Sequence, residues 1–137
     1  MMKKTKNKKS TDGKALVRAL WKSFNLLRWD DAKKLLGKGF TAFWPQSGEK
    51  MTGPDNFIEV NRNYPGKHRI ELKSLSSAGD RVVSEVFIRS GMPDGKRFSL
   101  FAVSFFKIKG GKIAEAKEYW ADTYPAPKWR KKWVKKI

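Results

Sequence analysis

Three carboxylates sit in stretches that alternate apolar and polar residues, the pattern of a strand with one buried face. Glu85 stands between Val83 and Phe87 in RVVSEVFIRS, Glu118 lies in KIAEAKEYWAD, and Asp122 closes that second stretch. A carboxylate enclosed by apolar walls loses hydration, so its pKa rises and it can exchange protons near neutral pH. Glu118 is the first choice for this role. Its alternation partners Ala114 and Ala116 are small and leave room, and Trp120 can form a wall. The competing reading pairs Glu118 or Glu85 with a Lys or Arg on a neighbouring strand at a solvated face. Asp122 is expected to cap or brace the chain end.

His68, the single histidine, begins a strand after a Pro-Gly turn. It reads as a hydrogen-bonded strand residue, or as a proton-transfer group if it faces a cavity. Trp44 and Tyr64 read as core aromatics or as walls of a binding pocket, with Trp120 beside them. Asn61 and Arg62 belong on a helix surface or at a cavity mouth. With no cysteine and one histidine, a zinc site of the usual ligands is excluded, and neither metal nor cofactor is expected. No phosphate-binding glycine loop, nucleotide fingerprint or Ser-His-Asp order is present.

Positioning these residues falls to a succession of elements. Leu16, Ala19, Leu20, Phe24 and Leu27 recur at helical spacing after Thr11 and Asp12, predicting a first helix with Leu16, Leu20, Phe24 and Leu27 as its buried stripe. A second, shorter helix is expected to be capped by an aspartate at Asp30-Asp31, to run through Ala32, Leu35 and Leu36, and to end at Gly37 and Gly39. FTAFWPQ predicts a short strand stopped by Pro45, and SGEKMTG a loop. Pro54 after Gly53 opens a third helix through Phe57 and Ile58 that ends by Pro65-Gly66. From His68 the period becomes two, and four consecutive antiparallel strands follow, separated by turns at Gly79-Asp80, MPDG and Gly110-Gly111. The stretch Phe98 to Ile108 is apolar on both faces, so both sides of the sheet should be covered, one by helices and the other by a second subunit.

The 137 residues suit one domain, taken as 14–137 behind a basic flexible tail at 1–13. Net charge is +18, of which residues 1–14 carry +5 and residues 128–137 carry +6. No stretch is apolar enough for a secretory signal or a membrane span, so a cytoplasmic protein is expected. The closing PAPKWRKKWVKKI, 125–137, is read as a short helix with Trp129 and Trp133 packed on the domain, Trp133 the deeper.

The order helix, helix, strand, helix, then a long meander resembles the nuclear transport factor 2-like superfamily. TGPDNFIEV, DRVVSEVFI and GGKIAEAKEYWAD resemble the SnoaL-like branch, which includes polyketide cyclases and limonene epoxide hydrolase. The resemblance implies an α+β fold, three N-terminal helices packed in a curved, mainly antiparallel sheet (an α-α-β-α-β-β-β-β cone). It also implies a hydrophobic pocket in the cone with a sheet carboxylate as base, for which Glu118 occupies the last-strand position. The epoxide hydrolases require an arginine two residues before an aspartate in the strand of Glu85, and Glu85-Val86-Phe87-Ile88 does not supply that pair. The cyclases' histidine would fall within Phe98 to Ser104, which contains none.

The expected function is therefore the binding of a small apolar or polycyclic molecule, with cofactor-independent isomerisation or cyclisation at a pocket carboxylate as its catalytic form. One alternative is a non-catalytic homodimeric ligand-binding or interaction module, motivated by Phe101, Val103 and Phe105. Another, set behind both, is binding of nucleic acid or an anionic membrane surface through the basic tails.

Overall fold

The computed structural model describes residues 12–137; the body of the basic N-terminal tail lies outside them. Its last two positions belong to the domain. Helix α1 spans Gly13–Asn25, and the Asp12 carboxylate caps it by accepting from the Lys14 N–H. A Cβ at Gly13 would stand 2.8 Å from Val82 Cγ2 and 3.0 Å from Ile108, so glycine lets the helix start directly against the sheet. The buried face of α1 is Val17, Leu20, Trp21 and Phe24, with Leu16 only partly covered.

The expected stripe is wrong at its end, because Leu27 lies beyond the helix, exposed, with φ of +59°. The N–H groups of Leu27 and Arg28 bond back to Phe24 and Ser23 carbonyls, a left-handed cap of the kind glycine normally forms. Helix α2, Trp29–Lys34, starts one residue before the aspartates, so Asp30 and Asp31 occupy its first turn without capping it. There their charges oppose the helix dipole favourably. The Trp29 ring packs on Phe24, 5.3 Å between centroids, which places the start of α2.

Leu36 is not helical but begins strand β1, Leu36–Trp44, which stops at Pro45 as expected. The anticipated loop contains a further strand, β2, Glu49–Thr52, antiparallel to β1. It went unseen because its four residues include one apolar side chain, Met51, buried opposite Ala42. Helix α3, Pro54–Arg62, has proline in its first turn after Gly53 at φ of +86° and buries Phe57 and Ile58. The meander follows as β3 (Lys67–Ala78), β4 (Arg81–Gly91), β5 (Arg97–Lys109) and β6 (Lys112–Asp122).

The sheet order is β2-β1-β6-β5-β4-β3. Every neighbouring pair is antiparallel except β1 and β6, which run parallel and join the first strand to the last. The result is the expected α+β arrangement, with the helices against one face of a curved, open sheet. Between helices and sheet lies a core that includes Val17, Leu20, Phe40, Phe57, Phe106 and Ile113, each at most 1% exposed. Asn25 fastens α1 to the edge strand, its side-chain oxygen accepting the Ile70 N–H at 2.8 Å.

The C-terminal segment departs from the packed helix read from the sequence. It is a 3-10 turn, Lys128–Trp133, in which Trp129 and Trp133 are 75% and 73% exposed. Residues 12–127 hold 20 basic against 13 acidic residues, so the domain's net charge repels a segment with six cations and no anion. A six-residue 3-10 turn also cannot align side chains four apart on one face.

Candidate functional site

Register across β4, β5 and β6 determines which side chains share the helix-facing side. Ser84, Ser104 and Glu118 stand in one row, since Ser84 pairs with Ser104 and Ser104 with Glu118. The next row is Val86, Ala102 and Trp120; beyond it come Ile88, Leu100 and Asp122. The inner face thus carries, among apolar side chains, one transverse line of two hydroxyls and a carboxyl, all three buried, with Ser90 and Asp122 as further polar groups toward the end of the sheet.

Each member of that line has a defined partner. The Trp21 indole N–H, from α1, donates to Ser84 Oγ at 3.0 Å. Ser104 donates its hydroxyl hydrogen to Glu118 Oε2 at 2.6 Å, and the Trp44 indole N–H donates to Oε1 at 3.0 Å. Among the described residues no ion pair reaches Glu118; the pairs present join surface residues such as Lys33–Asp55 and Arg89–Glu71. Burial raises the Glu118 pKa above the ordinary carboxylate value, while the Ser104 and Trp44 hydrogen bonds pull it back down. Desolvation dominates. Trp44 and Trp120 meet edge to face, 5.0 Å between centroids, both half-buried, beside Glu118 toward the end of the sheet where Asp122 is exposed.

The other sequence-selected residues fall into two places. Glu85 points to the opposite face of β4, alternating with buried Ser84 and Val86, and accepts a 3.4 Å hydrogen bond from Ser74. The structure therefore does not bring Glu85 to Glu118, and neither carboxylate has the cross-strand basic partner of the competing reading. Tyr64 and His68 form a second small group. Their rings stack at 4.3 Å, His68 Nε2 donates to the Pro65 carbonyl at 2.9 Å, and Nδ1 lies 2.7 Å from Ser90 Oγ. A carbonyl only accepts, so Nε2 carries a proton. Burial, with a smaller contribution from the negative charge of Asp122, pushes the Tyr64 hydroxyl's pKa up. Asn61 bonds the Phe57 carbonyl and Arg62 pairs with Glu59, both within α3.

Sequence reasoning missed Ser104, Ser84 and Trp21. Serines in the middle of the apolar stretches RVVSEVFI and LFAVSFFKI were the available signal, because a hydroxyl within a buried strand must find a partner. A groove of about 280 Å³ lies on the outer side of the sheet, away from Glu118. It is lined by residues including Arg81, Phe105, Lys107, Glu115, Lys117 and Tyr119. Around it the outer face carries exposed Phe101, Phe105 and Tyr119, with Phe87 4.8 Å from Phe101.

Residues 13–116 match the SnoaL-like domain family, and the chain belongs to it. Solved structures place it in the same fold. A "putative ketosteroid isomerase" from Kribbella flavida DSM 17836 superposes with a TM-score of 0.77 at 23% identity, over 91% of this chain and 89% of that one. An NTF-2 like protein of unknown function from Burkholderia xenovorans LB400 gives 0.76 at 23% identity, over 91% and 94%. TerC, crystallised with polyporic acid, gives 0.71 at 14% identity, over 80% and 91%. At these identities the likeness establishes the fold. No curated protein matches the sequence. Among the described residues no helix is long and apolar enough to cross a membrane, and no cluster of His, Cys, Asp or Glu is set to hold a metal ion.

Proposed function

We propose that the chain binds a small apolar or polycyclic molecule at the inner face and moves a proton on it with Glu118, in a cofactor-independent isomerisation or cyclisation. The observation that carries this reading is the carboxyl of Glu118, 7% exposed, held by two neutral donors with no cation paired to it among the described residues. Such a group binds a proton more tightly than a solvated carboxylate, yet Ser104 and Trp44 stabilise its ionised form enough for it to act as a base. It takes a proton from a carbon beside a carbonyl and returns it to another atom of the same molecule. The half-buried pair Trp44 and Trp120 lies on the ligand's path, and their ring faces suit a flat polycyclic molecule. The names of two structural neighbours, one a "putative ketosteroid isomerase" and one crystallised with polyporic acid, agree with this substrate class. His68, Tyr64 and Asp122 stand at the outer end of the same face, as groups that meet the polar end of the ligand.

Deuterium uptake by polycyclic ketones in heavy water, measured with the full chain and with Glu118→Gln, tests the reading. The variant is expected to lose on the order of 10²–10⁴-fold in exchange rate, the range of a general base, while retaining ligand binding. Equal rates in the two proteins would refute Glu118 as the base.

A second reading, a homodimer formed through the outer face, rests on Phe101, Phe105 and Tyr119 being exposed together. It is compatible with the first. Light scattering at micromolar concentrations is expected to give twice the chain mass, and Phe101→Asp to halve it; a monomer throughout would discard this reading.

A further inference from the structure

The C-terminal segment 128–137 has features that neither the inner face nor the outer face accounts for. It holds Lys128, Arg130, Lys131, Lys132, Lys135 and Lys136, with no acidic residue, beside four large apolar side chains. Those four, Trp129, Trp133, Val134 and Ile137, are all exposed. The segment leaves the sheet behind Pro125-Ala126-Pro127, with Pro127 in the extended conformation of a stiff polyproline spacer. Arg130 and Lys132 hover 5.8 Å from the rings of Trp129 and Trp133, so the cations sit beside the indoles and not across the domain.

At 100° per residue the same ten residues sort themselves. Trp129, Trp133, Ile137 and Val134 fall within one arc of about 140° on an α-helix; Lys128, Lys131, Lys132 and Lys135 fall on the opposite side, Lys136 stands at the edge of the arc beside Trp129, and Arg130 lies within it. Ten residues are too few to hold an α-helix alone in water, which agrees with the 3-10 turn followed by extended chain. A surface that binds both the apolar arc and the charges would supply the missing stabilisation.

We infer that residues 128–137 are an interfacial anchor that folds into an amphipathic helix on an anionic lipid membrane. The charge calls for an anionic partner, and a second copy of this chain, whose residues 12–127 are themselves net basic, does not provide one. Lipid fits better than nucleic acid because Val134 and Ile137 extend the apolar arc with aliphatic groups that cannot stack on bases, whereas an acyl boundary takes them together with the indoles. Lysines around tryptophans at the headgroup level are the composition such a site requires.

The test uses the full chain with phosphatidylcholine vesicles, with and without 30% phosphatidylserine, followed by sedimentation, tryptophan fluorescence and circular dichroism. Binding to the anionic vesicles alone, with a blue-shifted emission and added helix signal, is the expected result. Trp129→Ala with Trp133→Ala should weaken it at least tenfold. Replacing Lys131, Lys132, Lys135 and Lys136 by glutamine should abolish it, and raising the salt should weaken it steeply. All these side chains are exposed, so the variants keep the fold. No binding, binding that survives deletion of 128–137, or an unaltered affinity after loss of both tryptophans would overturn the proposal. So would tighter binding to a single-stranded polynucleotide than to anionic vesicles.

Discussion

Ser104 and Glu118 face each other across β5 and β6, and the serine donates to the carboxyl at 2.6 Å in a row where neither side chain meets water freely. Because that bond favours the ionised form, Ser104→Ala should raise the Glu118 pKa further. A carbon-13 carboxyl titration is expected to show the upward displacement. At pH 8 the variant should also be less stable by about 1.5–3 kcal/mol, the scale of a hydrogen bond to a charged group. An unmoved titration would mean that the hydroxyl does not stabilise the charge.

Glu118→Gln carries a prediction of opposite sign. The folded pKa of Glu118 lies above its unfolded value, so between the two the native chain holds the extra proton. Stability therefore falls as pH rises through that interval, and above it the whole cost of the buried charge remains. Glutamine keeps an acceptor for Trp44 and carries no charge. Urea unfolding should show the variant more stable than the parent at pH 8, on the order of 1–4 kcal/mol, with the difference closing below pH about 4.5. A variant less stable than the parent at pH 8 would contradict an uncompensated charge.

Trp21 and Ser84 form an analogous but neutral pair. Trp21→Phe leaves the fully buried serine without its donor, and Ser84→Ala leaves the indole N–H unpaired. Each change alone should cost about 1–3 kcal/mol. The double variant should cost less than the two together, by about 1 kcal/mol in a double-mutant cycle, and strict additivity would show that the bond contributes nothing.

Leu27 holds a left-handed conformation while 68% of its surface is exposed, so its side chain gives little in return. Leu27→Gly should raise the urea midpoint, corresponding to a gain of up to ~1 kcal/mol, because the left-handed cost for a side-chain-bearing residue exceeds glycine's entropy loss. A lowered midpoint would reveal packing by Leu27 that its exposure conceals.

The four long strands were legible almost residue by residue, because alternation over eleven to thirteen positions and glycine turns leave little freedom in register. The inward aim of Glu118 followed from its alternation with Ala116, but a register shift before that puts Ile113, and not Ala114, in the core. What the periodicity could not show was contact between distant segments. Trp44 supplies a donor to Glu118 only because β1 comes alongside β6, and nothing local in FTAFWPQ encodes that partner. Leu27 was misplaced because its spacing fits the helix while the chain has already turned. The terminal tryptophans were assigned to the domain because helical spacing suggests a face, but their surroundings repel the lysines between them.

The parallel pairing of β1 with β6 also bears on when the site comes into being. Trp44 and Glu118 are 74 residues apart in sequence, and the strand carrying the carboxylate is the last to be made. Contacts of such high sequence separation form late and slowly, since the loop between them must close first. Until β6 slots between β1 and β5, Glu118 is an ordinary hydrated carboxylate, and its altered acidity is a property that only the finished sheet confers. During refolding, proton uptake at Glu118 should therefore track completion of the sheet, and a chain truncated before β6 would lack the site altogether.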